Sequence, residues 1–498
     1  MLNYPPMIEH TLLYNFRISE DAASALDKIP RCIEEANPIS FQHRAELRYS
    51  IRSLWRLLTM GRAQRASDYL NNPTLFSAYL RYFMPWNLVR LVSLLTDLPV
   101  ELKPNATITD MGSGPLTLLL SLYCSKPELR KLPLTIICVD RAPRMMETGK
   151  TILEILAAEH SGELPPWKIE LRHLRFGEPI REKADLFCAI NVFNEFFWKS
   201  KETLFENADA LYRSIMQYCK NDGSLLILEP GEPRCGGFLS ALRAVAIRDN
   251  CEILAPCPHS SACPMPGIFK SGQEYLIKEN PKNIIKKGIP RFDSIESKAN
   301  VARQKSEYLI KQLPDESSNH RNRFLTPVRM PAPRVKYPWC HFSMPTSYAP
   351  KWLYRLSQEA GLAKDKLSFS YLYVKRCPSS ILPSDQNKKQ KSRYPGNLPL
   401  PTGANEGYDE LACRIVSEPI VLSHSRVGKY ACSHLGYTLI STGQSEALPE
   451  SGALLRIATK IPASTSSSKK RKKEMEYDQK TGAILISYES PKKFSGRK

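Results

Sequence analysis

Cys257 and Cys263 stand six residues apart in the run APCPHSSACP, and each is followed by a proline. Proline fixes φ and donates no backbone hydrogen bond, so both thiols ride on stiff, non-helical backbone. Sulfur ligands held this way are preorganised. His259 lies between them, and a second Cys-His pair, Cys340-His341, comes later in the chain. A single free cysteine is usually just a buried packing residue. Two Cys-Pro pairs around a His, with another Cys-His beyond, point instead to a metal site.

A second group of residues carries different chemistry. Asp110 closes the short β-rich run Ala106-Thr-Ile-Thr and leads into Met111-Gly112-Ser113-Gly114-Pro115-Leu116-Thr117. A glycine-rich turn between strand and helix lets backbone N–H groups approach a ligand at the helix N-terminus. The strand Leu134–Val139 then ends at Asp140, where a doubly wound fold sets a carboxylate to hold ribose hydroxyls. Asn194-Glu195 falls at a third strand end. A nicotinamide fingerprint wants a third glycine for close helix–strand packing, and here the glycines are only Gly112 and Gly114. Asp-x-Gly-x-Gly instead resembles the pattern of S-adenosylmethionine-dependent methyltransferases. The cofactor-binding candidates are therefore Asp110, Gly112, Gly114, Asp140 and Asn194. A doubly wound fold with an empty or vestigial pocket is the competing reading, and no catalytic residue stands out.

The elements that must position these residues follow from periodicity. From Phe41 to Leu98 the period is helical, with Leu47, Ile51, Leu54 and Leu58 stepping by three or four. Asn72-Pro73-Thr74 starts a new helix, and Met84-Pro85-Trp86 should kink or restart it. The aromatics Tyr79, Tyr82, Phe83 and Trp86 read as core packing. Strands at 106–110, 134–139, 168–174, 184–190 and 223–229 alternate with helices, which predicts a mostly parallel α/β sheet covered on both faces. A helix at 351–360 and a strand at 367–376 should complete it. Short β-branched or aromatic runs at 412–416, 420–422, 427–432 and 437–440 predict a small β-rich module.

The expected organisation is a helical N-terminal domain (1–100), a Rossmann-like domain carrying the cysteine motif (101–264), and a basic inserted loop (265–336). A cysteine segment with the closing strand (337–377), a linker (378–404), the β-rich module (405–462) and a basic tail (463–498) follow. Cys377, at the start of the linker, reads as a bystander.

The chain has 498 residues and a formal net charge of +20. Of that excess, +14 lies in 265–336 and 469–498, including the run KKRKK. Flexible basic segments suit a phosphate backbone, because neutralising phosphates releases condensed counterions. Thirteen cysteines, an odd number, argue against the disulfide framework of a small secreted domain and for a reducing compartment. The N-terminal stretch lacks a basic n-region and apolar h-region, and its acids Glu9, Glu20 and Asp21 are unlike a mitochondrial presequence. No apolar run approaches membrane-spanning length, so a membrane is not expected as partner. The expected location is cytoplasmic, or the mitochondrial matrix if the source is eukaryotic.

Taken in order, DMGSGPLT, NEFF, LEPGEP, APCPHSSACP, WCHFS and FSYLYVKR resemble the methyltransferase-like small-ribosomal-subunit assembly family of bacteria and mitochondria. The resemblance covers roughly 70–270 and 337–440. It implies a Rossmann-like S-adenosylmethionine methyltransferase fold, an iron–sulfur cluster of the 4Fe–4S type, and binding to small-subunit rRNA during ribosome assembly. Carried over residue by residue, the cluster ligands are Cys257, Cys263, Cys340 and Cys432, with Cys251 as local rival for the fourth place. Thiolates alone suit zinc as well as an iron–sulfur cluster. Two departures from the family are the Leu116 side chain, which would crowd the cofactor pocket, and the long basic insertion. An active S-adenosylmethionine-dependent rRNA methyltransferase and a zinc-binding transcription or chromatin protein are the other readings.

Overall fold

In the main sheet, successive strand residues belong to two different cores. A computed structural model describes residues 17–59, 69–195, 204–265, 338–377, 409–423, 426–443, 448–459, 476–478 and 481–487. Its first sheet contains β1 (Ala106–Met111), β2 (Leu134–Asp140), β3 (Trp167–His173), β4 (Ala184–Ile190) and β5 (Cys219–Pro230). Ile136, Cys138, Leu186 and Cys188 enter one apolar core, while Ile137, Val139, Phe187 and Ala189 enter the other. Strands buried on both faces read as near-continuous apolar runs, which is why they are visible in the sequence.

The order along the sheet is β3-β2-β1-β4-β5-β8-β6. The first five strands pair in parallel. The last additions are antiparallel: β8 (Lys366–Lys375) pairs with β5 and with β6 (Glu252–Ala255). A further strand, β7 (Phe342–Pro345), lies along the same edge of β8 as β6 but further down it. Partners of β6 are Tyr373–Lys375, and partners of β7 are Lys366–Phe369. The gap between β6 and β7 therefore falls opposite residues 370–372 of β8. That gap positions the cysteines.

The N-terminal helices do not close a core of their own. Helix α1 (Glu20–Ala36) is capped by Ser19, whose hydroxyl accepts the Ala22 N–H at 3.2 Å, with Glu20 and Asp21 in its first turn. Helix α2 (Phe41–Thr59) and α3 (Pro73–Ala78) follow. A π-turn at Tyr79–Phe83 leads into α4 (Met84–Asp97), which carries Pro85 in its first turn, where the missing N–H costs nothing. Leu88, Leu91 and Leu95 of α4 join the same core as Ile108 and Ile136 of the sheet. The aromatics are packing residues here. Trp86 donates its indole N–H to Ser357 Oγ at 3.1 Å, and the Tyr82 hydroxyl donates to the Leu362 carbonyl at 3.1 Å. Helices α5 (Thr117–Ser125), α6 (Pro143–His160), α7 (Leu204–Met216), α8 (Pro233–Arg248) and α9 (Lys351–Glu359) complete the layers.

A second sheet follows the order β13-β9-β11-β12-β14, with the short β10 (Ile420–Val421) on β11. Its strands are β9 (Asp409–Ile415), β11 (Val427–Ser433), β12 (Gly436–Thr442), β13 (Leu454–Thr459) and β14 (Ile484–Ser487). The sequence reading bounds the module at 405–462 without naming β13 as a strand, and assigns β14 to a basic tail. In the structure Ile484–Ser487 runs parallel to Thr438–Ser441. A four-residue apolar run inside a lysine-rich stretch gives too little pattern to stand out, and its burial comes from its neighbour. Most of the predicted inserted loop, the linker and the KKRKK run lie outside the described residues.

Candidate metal centre and strand-end site

Cys257 follows β6 and Cys340 precedes β7, so the two approach the middle of β8 from opposite directions. Ser370, at that middle, donates its hydroxyl to the Cys340 carbonyl at 2.8 Å. Gly236 in α8 lets the same segment close in: a Cβ there would meet the Cys340 carbonyl oxygen at 2.9 Å and Trp339 Cδ1 at 2.9 Å. Cys432 arrives from the second sheet. In β11 it pairs directly with Arg414 of β9, which sets both side chains on one face.

Arg414, only 1% exposed, reaches back to the first sheet. Its Nε donates to the Pro256 carbonyl at 2.8 Å and its Nη1 to the Gly452 carbonyl at 2.7 Å. On the other side, buried Arg243 of α8 donates to the His259 carbonyl at 2.6 Å. His259 Nε2 in turn lies 3.1 Å from Cys432 Sγ. Cys257, Cys263, Cys340 and Cys432 all line one cavity with Arg243 and Arg414. It holds about 460 Å³ of empty space, part of it open to solvent.

The electrostatics follow from this arrangement. Burial pushes the Cys257, Cys340 and Cys432 thiols up. For Cys340 the neighbouring Cys257 and Cys263 add to the shift, and for Cys432 the other three cysteines do, while Arg243 opposes both. Four thiolates cannot accumulate here without a compensating cation. Burial, then the nearby Arg243 and His434, lower His259 to about 3, which keeps its imidazole neutral. Among the described residues, no three of His, Cys, Asp and Glu are placed to hold a single metal ion. Cys251 is elsewhere: its sulfur lies 3.2 Å from the Tyr212 hydroxyl, and it does not line the cavity.

The strand-end residues form a tighter group, in which Asp110 Oδ2 is buried without a hydrogen-bond partner among the described residues. Gly112 and Gly114 adopt φ of +73° and +50°, conformations that favour glycine. Asp140 turns inward, accepting the Gly114 N–H at 2.9 Å and the Ala142 N–H at 3.0 Å. A Cβ on Gly112 would meet Val192 Cγ2 at 2.5 Å. Leu116 precedes α5 in a left-handed conformation (φ 52°) with its side chain in the core. Asp110 is 1% exposed; burial, with Asp140 adding, raises its carboxyl to about 7. Asn194 contributes its backbone, donating its N–H to Glu229 Oε2 at 3.2 Å. Glu195's side chain is outside the described residues.

Glu229 was not among the candidates, yet it is the hub of this corner. Fully buried, it accepts the Phe193 N–H at 2.8 Å as well, and burial lifts its carboxyl to about 8. An acid at the end of β5, in the run LEPG, was the available signal. Arg243 and Arg414 were also missed, because only tertiary structure brings a guanidinium beside the cysteines.

The fold is thus an open, Rossmann-like α/β sheet with glycines and acids at its strand ends, joined by a small β-sheet through a cysteine-lined cavity. The family model described as mitochondrial small ribosomal subunit Rsm22 matches residues 77–268 of this chain. Two Schizosaccharomyces pombe proteins, Rsm22-cox11 tandem protein 1 and tandem protein 2, both mitochondrial, are each 28% identical to it over 202 residues. That match covers 38% of this chain and 25% of each relative, so the chain spans about a quarter of the length of the curated relatives it matches. Solved structures with partial likeness include a ribosomal protein L11 methylase from Lactobacillus delbrueckii subsp. bulgaricus. It is 15% identical, with 33% of this chain and 69% of that chain covered and a TM-score of 0.23. YjhP from E. coli is 20% identical over 30% of this chain and 51% of that one, with a TM-score of 0.21. Among the described residues no helix is long and apolar enough to cross a membrane.

Proposed function

We propose that this chain is a methyltransferase-like factor that holds an iron–sulfur centre, binds small-subunit rRNA and supports assembly of the small ribosomal subunit, in the mitochondrial matrix. The observation that carries the reading is the convergence of Cys257, Cys263, Cys340 and Cys432 on one cavity. The donor set fits a 4Fe–4S cluster, which is held by four thiolates. Zinc would take the same thiolates, so the metal analysis below decides between the two. Four thiolates and a doubly positive cluster leave two negative charges, which the Arg243 and Arg414 guanidiniums match.

When bound, such a cluster would supply a covalent staple between three chain segments, and metal binding would then be folding energy. The chain's own residues do the rest. Arg414 ties the second sheet to Pro256, Gly236 admits the Cys340 segment, and neutral His259 faces the Cys432 sulfur. Ribosome association is supported by the family match and by the basic balance of the chain. The test is anaerobic purification with iron, sulfide and zinc analysis, together with a measurement of small-subunit rRNA binding. Iron and sulfide near four each per chain are expected; zinc at one per chain would replace the cluster with a zinc site.

The alternative reading is an active S-adenosylmethionine-dependent rRNA methyltransferase, favoured by the intact Asp110, Gly112, Gly114 and Asp140. In that reading Asp140 holds ribose hydroxyls and the Gly112–Gly114 turn approaches the ligand. Val192 against Gly112 weighs toward a platform instead; Leu116, expected to crowd the pocket, turns its side chain into the core and does not. Calorimetry with S-adenosylmethionine decides: no binding to the intact protein leaves the platform alone.

A further inference from the structure

Helix α2 (Phe41–Thr59) carries Arg44, Arg48, Arg52 and Arg56 at successive four-residue steps, and all four are exposed. A four-residue step advances the helix by about 6 Å and turns it by about 40°, so the four guanidiniums form one slowly winding stripe. A neighbouring face of the helix is committed to the core through Leu47, Ile51 and Leu54. The same outer face presents Phe41 at 87% and Tyr49 at 51% exposure. Arg48 lies 4.7 Å from the Tyr49 ring centroid and donates to the Tyr49 hydroxyl at 2.9 Å.

A helix face that is merely solvated balances its charges. Elsewhere in this molecule it does: Arg31–Glu35, Lys150–Glu154 and Arg213–Asp209 are opposite charges four apart. On α2 each arginine's four-residue neighbour along the stripe is another arginine, an arrangement that destabilises a helix. The one acid of the helix, Glu46, is not three or four residues from any of them. Of the four arginines, only Arg44 forms an ion pair among the described residues, with Glu34 at 2.6 Å. Arg52 donates its Nε to the Ala360 carbonyl at 2.6 Å, which anchors the stripe to the end of α9.

We propose that the α2 stripe is an RNA-binding surface, gripping successive phosphates with Arg48, Arg52 and Arg56 while Tyr49 and Phe41 offer faces to unstacked bases. The inference rests on the rRNA-binding reading above and assigns it a folded surface. Interleaved arginines and aromatics are what single-stranded RNA recognition uses. An anionic membrane fits less well, because an interfacial helix must turn its apolar face to lipid, and that face is buried here.

The test titrates small-subunit rRNA, transcribed in vitro, against the full-length protein over a series of KCl concentrations. R48Q/R56Q is compared with wild type and with R48K/R56K. Two lost phosphate contacts on single-stranded RNA should make the slope of log affinity against log salt shallower by roughly 1.4. The lysine variant should keep the wild-type slope. Melting temperature should stay level or rise in R48Q/R56Q, since like charges are removed. An unchanged slope in R48Q/R56Q, with wild-type rRNA binding intact, overturns the stripe and spares the rRNA reading. A wild-type protein that ignores rRNA but binds phosphatidylserine vesicles overturns both.

Discussion

The strand-end corner and the cysteine cavity are built in opposite ways. Asp110, Gly112, Gly114, Asp140 and Glu229 lie at or just past the ends of β1, β2 and β5, and the polar groups of Asp140 and Glu229 are turned on the chain itself. Asp140 accepts two loop N–H groups, Glu229 accepts the N–H groups of Phe193 and Asn194, and Val192 packs against Gly112. The cavity draws its four thiols from three distant segments and leaves them facing one another, with buried arginines beside them. The first region is satisfied by the chain at Asp140 and Glu229, with the Asp110 Oδ2 left over among the described residues. The second gathers four thiols, from segments far apart in the sequence, around one cavity beside two buried arginines.

The largest expected effect breaks the second region. Replacing any one of Cys257, Cys263, Cys340 or Cys432 by Ser should remove most bound metal and lower the melting temperature, because metal binding at such a centre is also folding energy. Next is Arg414→Met, which removes two charged hydrogen bonds, to Pro256 and Gly452. A loss on the order of 3 kcal/mol is expected in denaturant melts, with faster metal loss to chelator. Gly236→Ala probes the close approach of the Cys340 segment. Overpacking there should cost about 1–3 kcal/mol and broaden the visible absorption of the centre.

The first region should respond differently. Asp140→Ala removes the acceptor for Gly114 and Ala142, so it should cost roughly 1.5–3 kcal/mol of stability even without S-adenosylmethionine. A variant that loses only ligand affinity would mark the site as a true cofactor pocket. The smallest effect is a pH dependence. Glu229 is raised from its ordinary value to about 8 and Asp110 to about 7, so the folded state holds these protons more tightly than the unfolded chain. Their contribution is therefore fully present below the ordinary carboxylate range and is lost as pH rises towards 8. Glu229→Gln should flatten that decline in melts recorded from pH 5 to 8.

The sheet was legible because its strands are buried on both faces. Ala184–Ile190 coincides with its predicted span, and Leu134–Asp140 extends its span by one residue. The short strands that depend on a neighbour were not, as Ile484–Ser487 shows. The cysteine motif was legible up to Cys263 from proline stiffening alone. Cys340 and Cys432 were joined to it only by the family resemblance; the register of β8, where β6 and β7 leave their gap, places Cys340 beside it, and no local pattern encodes that register. Arg414 faces Cys432 only through cross-strand pairing, so its role was invisible in sequence. The N-terminal helices carried a clear period, but period does not say whose core a helix fills.

The most direct test compares iron and sulfide per chain in Cys432→Ser and Cys251→Ser, both purified anaerobically beside the unaltered protein. The account predicts that Cys432→Ser loses the iron and the visible absorption, while Cys251→Ser, whose sulfur sits against Tyr212 away from the cavity, retains both. Full iron content in Cys432→Ser with its loss in Cys251→Ser would contradict it.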